Sequence, residues 1–241
     1  MHRLVQRVKS LAAGLLLGVL PALGAATSKG NMASLPSDLP VLEARLAADP
    51  TNVLILVRTA LECHNRAAFG SDDSGALLKR ARSCLETVLQ QEPGNTFART
   101  LLGSAIIISA REPIWPGTRI RRVREGLAVM DAALLQNPDD ADARFTRASN
   151  NLFLPDLFKR KEWVREDFNW LQERADRQEF ASDFRQYVYL YHGSAQKRWG
   201  DMARARALWE AGLKVDPGSR EADELRKELE GHSELGRIRS Q

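Results

Sequence analysis

The residues that could carry chemistry in this chain are few and widely dispersed. Four histidines, His2, His64, His192 and His232, are scattered over 241 residues. None has a second His, a Cys or a carboxylate at the separations that zinc ligands adopt. The sequence carries no glycine-rich phosphate loop, no nucleophile elbow and no cofactor fingerprint, so it predicts no cofactor, no metal and no catalysis. The acidic pairs Asp72-Asp73 and Asp139-Asp140 fall among turn residues and read as helix caps. Trp115, followed by Arg119, Arg121, Arg122 and Arg124, could grip an acidic partner segment through bidentate guanidinium pairs. The same arginines also suit the wet face of a helix, and the sequence leaves both readings open.

The N-terminus reads as an address rather than a fold element. His2, Arg3, Arg7 and Lys9 precede an apolar run from Leu11 to Leu20, and small residues surround a cleavage point after Ala26. The expectation is a signal peptide over 1–26, with a periplasmic or secreted mature chain. The apolar stretch is shorter than the ~20 residues a membrane span needs, so an uncleaved anchor is the lesser alternative. After cleavage no stable membrane span is expected. Removing Arg3, Arg7 and Lys9 from the 35 basic residues leaves 32 against 31 acidic ones. A mature protein so close to neutral has no general attraction for nucleic acid, despite the sequence pI of about 9.3.

These scattered side chains must be positioned by a repeating framework. Apolar-periodic stretches end at Asp49-Pro50, Glu92-Pro93, Asn137-Pro138 and Asp216-Pro217, each followed by turn-type residues. Proline cannot continue a helix, so each marks a helix end. The prolines stand 43, 45 and 79 residues apart, which implies one boundary near Ser182-Asp183 without its proline. Gly103-Ser104, Ala148-Ser149 and Gly193-Ser194 recur at intervals of 45, small residues where a partner helix must approach closely. Buried stripes follow on the second helices: Ala81, Leu85 and Val88; Gly126, Met130 and Ala133; Ala205, Trp209 and Gly212.

The segment Gln186 to Ser219 carries Tyr189, His192-Gly193, Gly200, Ala205, Trp209, Gly212 and Pro217. It resembles the tetratricopeptide repeat (TPR), whose period is about 34 residues. The resemblance implies an all-α, right-handed superhelix of about four antiparallel hairpins, a TPR-like α-solenoid with capping helices. The expected organisation is a flexible leader over 27–38, a capping helix over 39–52 and a repeat domain over 53–219. That domain divides at about 53–95, 96–140, 141–185 and 186–219, and a capping helix and tail occupy 220–241. The first three repeats exceed the usual period, with the excess in the turn of each hairpin: 69–75, 113–117 and 154–158. Insertions at one place in successive repeats emerge along one edge of such a stack, which is often the binding edge.

In that family the first helix of each hairpin lines the concave groove. The positions here are Phe97, Thr100 and Ser104; Asp142, Phe145 and Ser149; and Tyr187, Leu190, Ser194 and Lys197. Phe97, Phe145 and Leu190 either line that groove or pack between helices. Phe153 and Phe158, in the most apolar turn, either form an exposed partner patch or fold back over the hairpin. Cys63 and Cys84 flank the Gly70–Gly75 turn at similar heights, so a disulfide is one expectation in an oxidising compartment. Against it, Cys84 stands one position off the Ala81/Leu85/Val88 stripe. His192 occupies a repeat core position and is expected to be structural.

The function expected is a non-catalytic scaffold binding a protein or peptide through its concave face or insertion edge. The alternative is an accessory subunit of an envelope transport or secretion system, of the kind that partners TRAP transporters, with a homo-oligomer admitted. A small-molecule binder or hydrolase ranks below both.

Overall fold

The structure is a computed structural model that describes residues 35–112 and 115–231. The expected signal peptide, most of the leader, and the tail from residue 232 lie outside the described residues. So do Pro113 and Ile114. Ten α-helices and one 3-10 turn make up the described chain, with no strand among the described residues. They are α1 (Leu39–Ala48), α2 (Val53–Ala68), α3 (Ser74–Gln91), α4 (Thr96–Ser109), α5 (Pro116–Gln136), α6 (Ala141–Leu152), α7 (Lys161–Asp176), α8 (Ser182–Arg198), α9 (Met202–Val215) and α10 (Arg220–Glu230). The 3-10 turn, Asp156–Phe158, sits between α6 and α7.

Helix boundaries follow from the proline ladder. A residue before proline is driven out of the α region, and Asp49, Glu92, Asn137 and Asp216 all close their helices in more extended conformations. Two residues past each proline stands a capping side chain. Asn52, Asn95, Asp140 and Ser219 accept from the backbone N–H of Ile55, Ala98, Ala143 and Ala222 at 2.9–3.2 Å. Such caps satisfy a donor that the first helical turn leaves open. α8 starts where the ladder skips a proline, and its N-cap, Ala181, makes no side-chain cap bond.

Helices pair as antiparallel hairpins, α2 with α3, α4 with α5, α6 with α7 and α8 with α9, and the first helices α2, α4, α6 and α8 touch in succession. α1 covers α2, and α10 packs on both α8 and α9. Small residues permit the closest crossings: Gly103 of α4 meets Gly126 of α5, and Gly193 of α8 lies under the Trp209 ring of α9. Trp209 is fully buried and donates Nε1–H to the Leu190 carbonyl at 3.1 Å. The main apolar core runs along the stack from Leu39 to Leu225. A second cluster, including Ile107, Val123, Met130 and Leu154, fills the turn ends of the first three hairpins.

One correction concerns Cys84. Sequence spacing put it off the buried stripe, yet it is buried beside Ala81, Leu85 and Val88. The buried face of α3 is wide enough to hold positions i, i+3, i+4 and i+7, because α3 is clamped by both α2 and α4.

Candidate functional site

Most residues of the expected groove strip are committed inside the protein. α6 is buried along its whole length, and with it Asp142, Phe145 and Ser149. Phe97, Thr100, Ser104, Leu190 and Ser194 are buried as well. Thr100, Ser149 and Ser194 return their hydroxyls to carbonyls one turn back, at 2.8–2.9 Å. Ser104 Oγ lies 2.6 Å from His64 Nε2 and donates to Asn150 Oδ1 at 2.8 Å, which joins three first helices. The Phe145 ring meets those of Phe168, Phe184 and Tyr191 within 5.3–6.2 Å. Phe97, Phe145 and Leu190 thus take the packing side of the two readings. Tyr187 and Lys197 are half-buried and fastened to the last helix: Tyr187 O–H donates to Glu221, and Lys197 Nζ pairs with Glu228 at 2.8 Å. Burial, with Glu221 beside it, pushes the Tyr187 phenol up from its usual range.

The hairpin turns present a different surface. Phe69 closes α2, Trp115 precedes α5, Leu157 lies in the 3-10 turn and Met202 opens α9. Their exposures are 62, 78, 50 and 43 %, so each hairpin displays at least one large apolar side chain at its turn. Because the hairpins stack with their first helices in contact, these turns share an edge. Of the other exposed apolar residues, Val41, Leu54 and Leu135 lie on α1, α2 and α5, away from those turns, whereas Trp163 lies in the first turn of α7 beside the third, under the Arg147 and Arg160 guanidiniums. At the third turn, Phe153 is buried and Phe158 half-buried against the second cluster, so this segment folds back and leaves Leu157 outside.

The arginines beside Trp115 are mostly engaged. Arg122 pairs with Glu112 at 2.7 Å and donates to the Ser109 carbonyl, and Arg119 donates to the Glu112 carbonyl. They satisfy the C-terminal end of α4, where cations are favoured. Arg121 and Arg124 are exposed.

A buried ionic cluster behind the third turn was not singled out from sequence. Asp167 of α7, with no exposed surface, accepts from Arg144 Nη1 and from Arg147 Nε and Nη2, each at 2.8 Å. Arg160 pairs with Asp131 of α5, and Arg147 and Arg160 both stack on the Trp163 ring within 4.7 Å. Arg144 and Arg174 stack on Trp170. Burial pushes the Asp167 carboxyl up, while the facing guanidiniums of Arg147 and Arg144 pull it down. The signal was available in sequence as Trp163, Asp167 and Trp170 at i, i+4 and i+7 opposite Arg144 and Arg147. Its reading required knowing which faces of α6 and α7 meet.

His192 is buried, stacked on Phe168 at 5.5 Å between centroids and 2.9 Å from Gln196 Nε2. Cys63 and Cys84 are buried thiols without a bridge. Burial pushes the Cys63 thiol up to about 12 and raises Cys84 too. Among the described residues no three His, Cys, Asp or Glu side chains group to hold a metal ion, and no helix is long and apolar enough to cross a membrane.

No protein-family model matches the chain, and no curated protein matches it. Among solved structures, it is similar to the crystal structure of a thermophilic TPR protein of Thermus thermophilus. The superposition has a TM-score of 0.61 at 15 % identity and covers 80 % of this chain and 88 % of the other. The fold is therefore a TPR-like helical-repeat stack.

Proposed function

We propose that this chain is a non-catalytic scaffold that docks a protein partner along the edge formed by its hairpin turns. The observation that carries this reading is the row of Phe69, Trp115, Leu157 and Met202, an exposed anchor at every hairpin turn. Aromatic and large apolar anchors dominate interface energies, and a row of them repeated from hairpin to hairpin suits an extended partner. Packed helices are spaced about 8–10 Å apart, so an extended partner segment would offer an anchor roughly every three residues. Charge sets its polarity: Asp72 and Asp73 flank the first turn, whereas Lys159 and Lys161 flank the third. The partner segment accordingly carries basic residues at the end facing the first hairpin and acidic ones at the other. The basic and apolar run of residues 1–26 supports action outside the cytoplasm, in the periplasm or after secretion.

The test is site-specific photocrosslinking in living cells, with the photoreactive side chain placed at position 69, 115 or 157, or at 54 or 135. The same adduct from all three turn positions, and none from 54 or 135, is the expected result. Adducts confined to 54 and 135 would move the docking surface elsewhere.

A further inference from the structure

Between the C-terminal end of α6, the turn leading into α7 and the C-terminal end of α8 lies a cavity of about 590 Å³. That volume falls in the range of small-molecule sites, roughly 300–1,000 Å³. Its lining divides into two chemistries. Leu152, Leu154 and Val164 are buried and, with the Trp199 ring, give an apolar wall. Lys159, Arg160 and Lys161 give a cationic side, faced by one exposed acid, Asp156.

Two independent features point to an oxyanion there. The first is Asn151, which is 3 % exposed and lines the cavity, yet neither its Nδ2 nor its Oδ1 has a hydrogen-bond partner. A buried carboxamide left so is costly, and its neighbour Asn150 shows the ordinary outcome: it accepts from Ser104 and donates to the Thr146 carbonyl. Arg160 repeats the pattern, since its Nη atoms hold Asp131 while its buried Nε has no partner. The second is α7, whose first turn opens at this cavity with no side-chain cap. Uncapped N–H groups and the positive end of the helix dipole favour an anion.

We propose that this cavity binds a small organic anion with a carboxylate or phosphate head and an apolar body. The head takes hydrogen bonds from the first turn of α7, from Asn151 Nδ2 and from the Lys159 ammonium. The body lies against Leu154 and Trp199, and Asn151 Oδ1 accepts from any N–H or O–H on the ligand. The cavity shares Lys159 and Lys161 with the docking edge, but its ligand sits inside the lining and not on the exposed anchors.

Lys159 supplies the discriminating variant. Its φ of 54° and ψ of 44° place it in the left-handed region, where glycine is more comfortable. Lys159→Gly therefore leaves the thermal midpoint unchanged or raised while deleting one cation from the site. Isothermal titration calorimetry of the purified protein at low ionic strength would use hexanoate and phenyl phosphate, with hexanamide as the neutral control. Saturable binding of hexanoate, of phenyl phosphate or of both is expected, with the preferred head identifying the ligand series, and hexanamide does not compete. Lys159→Gly weakens that binding about tenfold, the loss of one charge-assisted contact. Asn151→Leu weakens it further; should that variant not fold, Lys159→Gly decides alone. No binding of either anion at millimolar concentration, or equal binding by the wild type and Lys159→Gly, overturns the proposal.

Discussion

Gly103 and Gly126 face each other across the second hairpin so closely that a Cβ on Gly103 would lie 2.7 Å from the Gly126 carbonyl oxygen. It would also lie 2.8 Å from Met130 Cγ. The contact sets how near α4 and α5 approach, and through α4 it affects the helices on either side. Gly103→Ala gains up to about 1 kcal/mol of helix propensity. Overpacking costs about 1–3 kcal/mol and backbone cannot yield cheaply, so the net change is destabilising. Gly75→Ala on α3, where the nearest atom would be 3.6 Å away, is the control and stabilises slightly. Urea unfolding of the two variants reads both signs.

The Asp167 carboxylate between Arg144 and Arg147 predicts a larger effect. Removing one partner of a buried pair leaves charge uncompensated and costs about 3–5 kcal/mol. Asp167→Ala is expected to fall in that range. Arg82→Ala removes an exposed pair with Glu86 and should change stability by less than about 1 kcal/mol. Equal effects in chemical denaturation would mean that the cluster does not hold α6 against α7.

Acidification should destabilise the stack before carboxylates titrate. Burial lowers His64 and His192 from 6.5 to about 4. Both rings are therefore neutral when folded but protonate near 6.5 when unfolded. Their contribution is fully present above the unfolded value and is lost as pH falls toward the folded one. The loss is about 2 kcal/mol per histidine as pH drops from roughly 7 to roughly 5. Unfolding curves across that interval check it, and His64→Gln should flatten the slope. Stability that rises on acidification would contradict the sign.

Thiol chemistry gives a fourth outcome. The thiolate is the reactive form, and burial raises both thiols, so native protein should react negligibly with Ellman's reagent near pH 8. Two thiols should appear on unfolding without reductant. None appearing would mean that Cys63 and Cys84 are bridged.

Proline followed two residues later by Asn, Asp or Ser made the helix ends legible, because it encodes both a stop and a cap in one local signal. The all-α hairpin fold followed from that ladder and from the glycine and alanine ladder at the crossings. What lay beyond local reading was orientation. Asn150 and Asn151 are adjacent and chemically identical, yet one is satisfied by Ser104 and the Thr146 carbonyl while the other faces the cavity. Phe153, Leu157 and Phe158 belong to one apolar run, and only the fold decides that Phe153 joins the main core, Phe158 packs on the second cluster and Leu157 stays outside. Residues of the groove strip matched the family pattern by position, but position does not report exposure. Asp142, Phe145 and Ser149 sit on a helix with no exposed face.

The affinity of the purified protein for the partner identified by crosslinking tests the central claim most directly. Calorimetric titration would compare the wild type with Trp115→Ala, Leu157→Ser and Lys197→Ala. Truncating an interface anchor costs about 2 kcal/mol or more, so Trp115→Ala and Leu157→Ser should each weaken binding by at least about tenfold. Lys197→Ala, a groove position tied to Glu228, should leave it within about twofold. Unchanged affinity in both turn variants, with a large loss in Lys197→Ala, would place the partner in the groove and contradict docking along the edge.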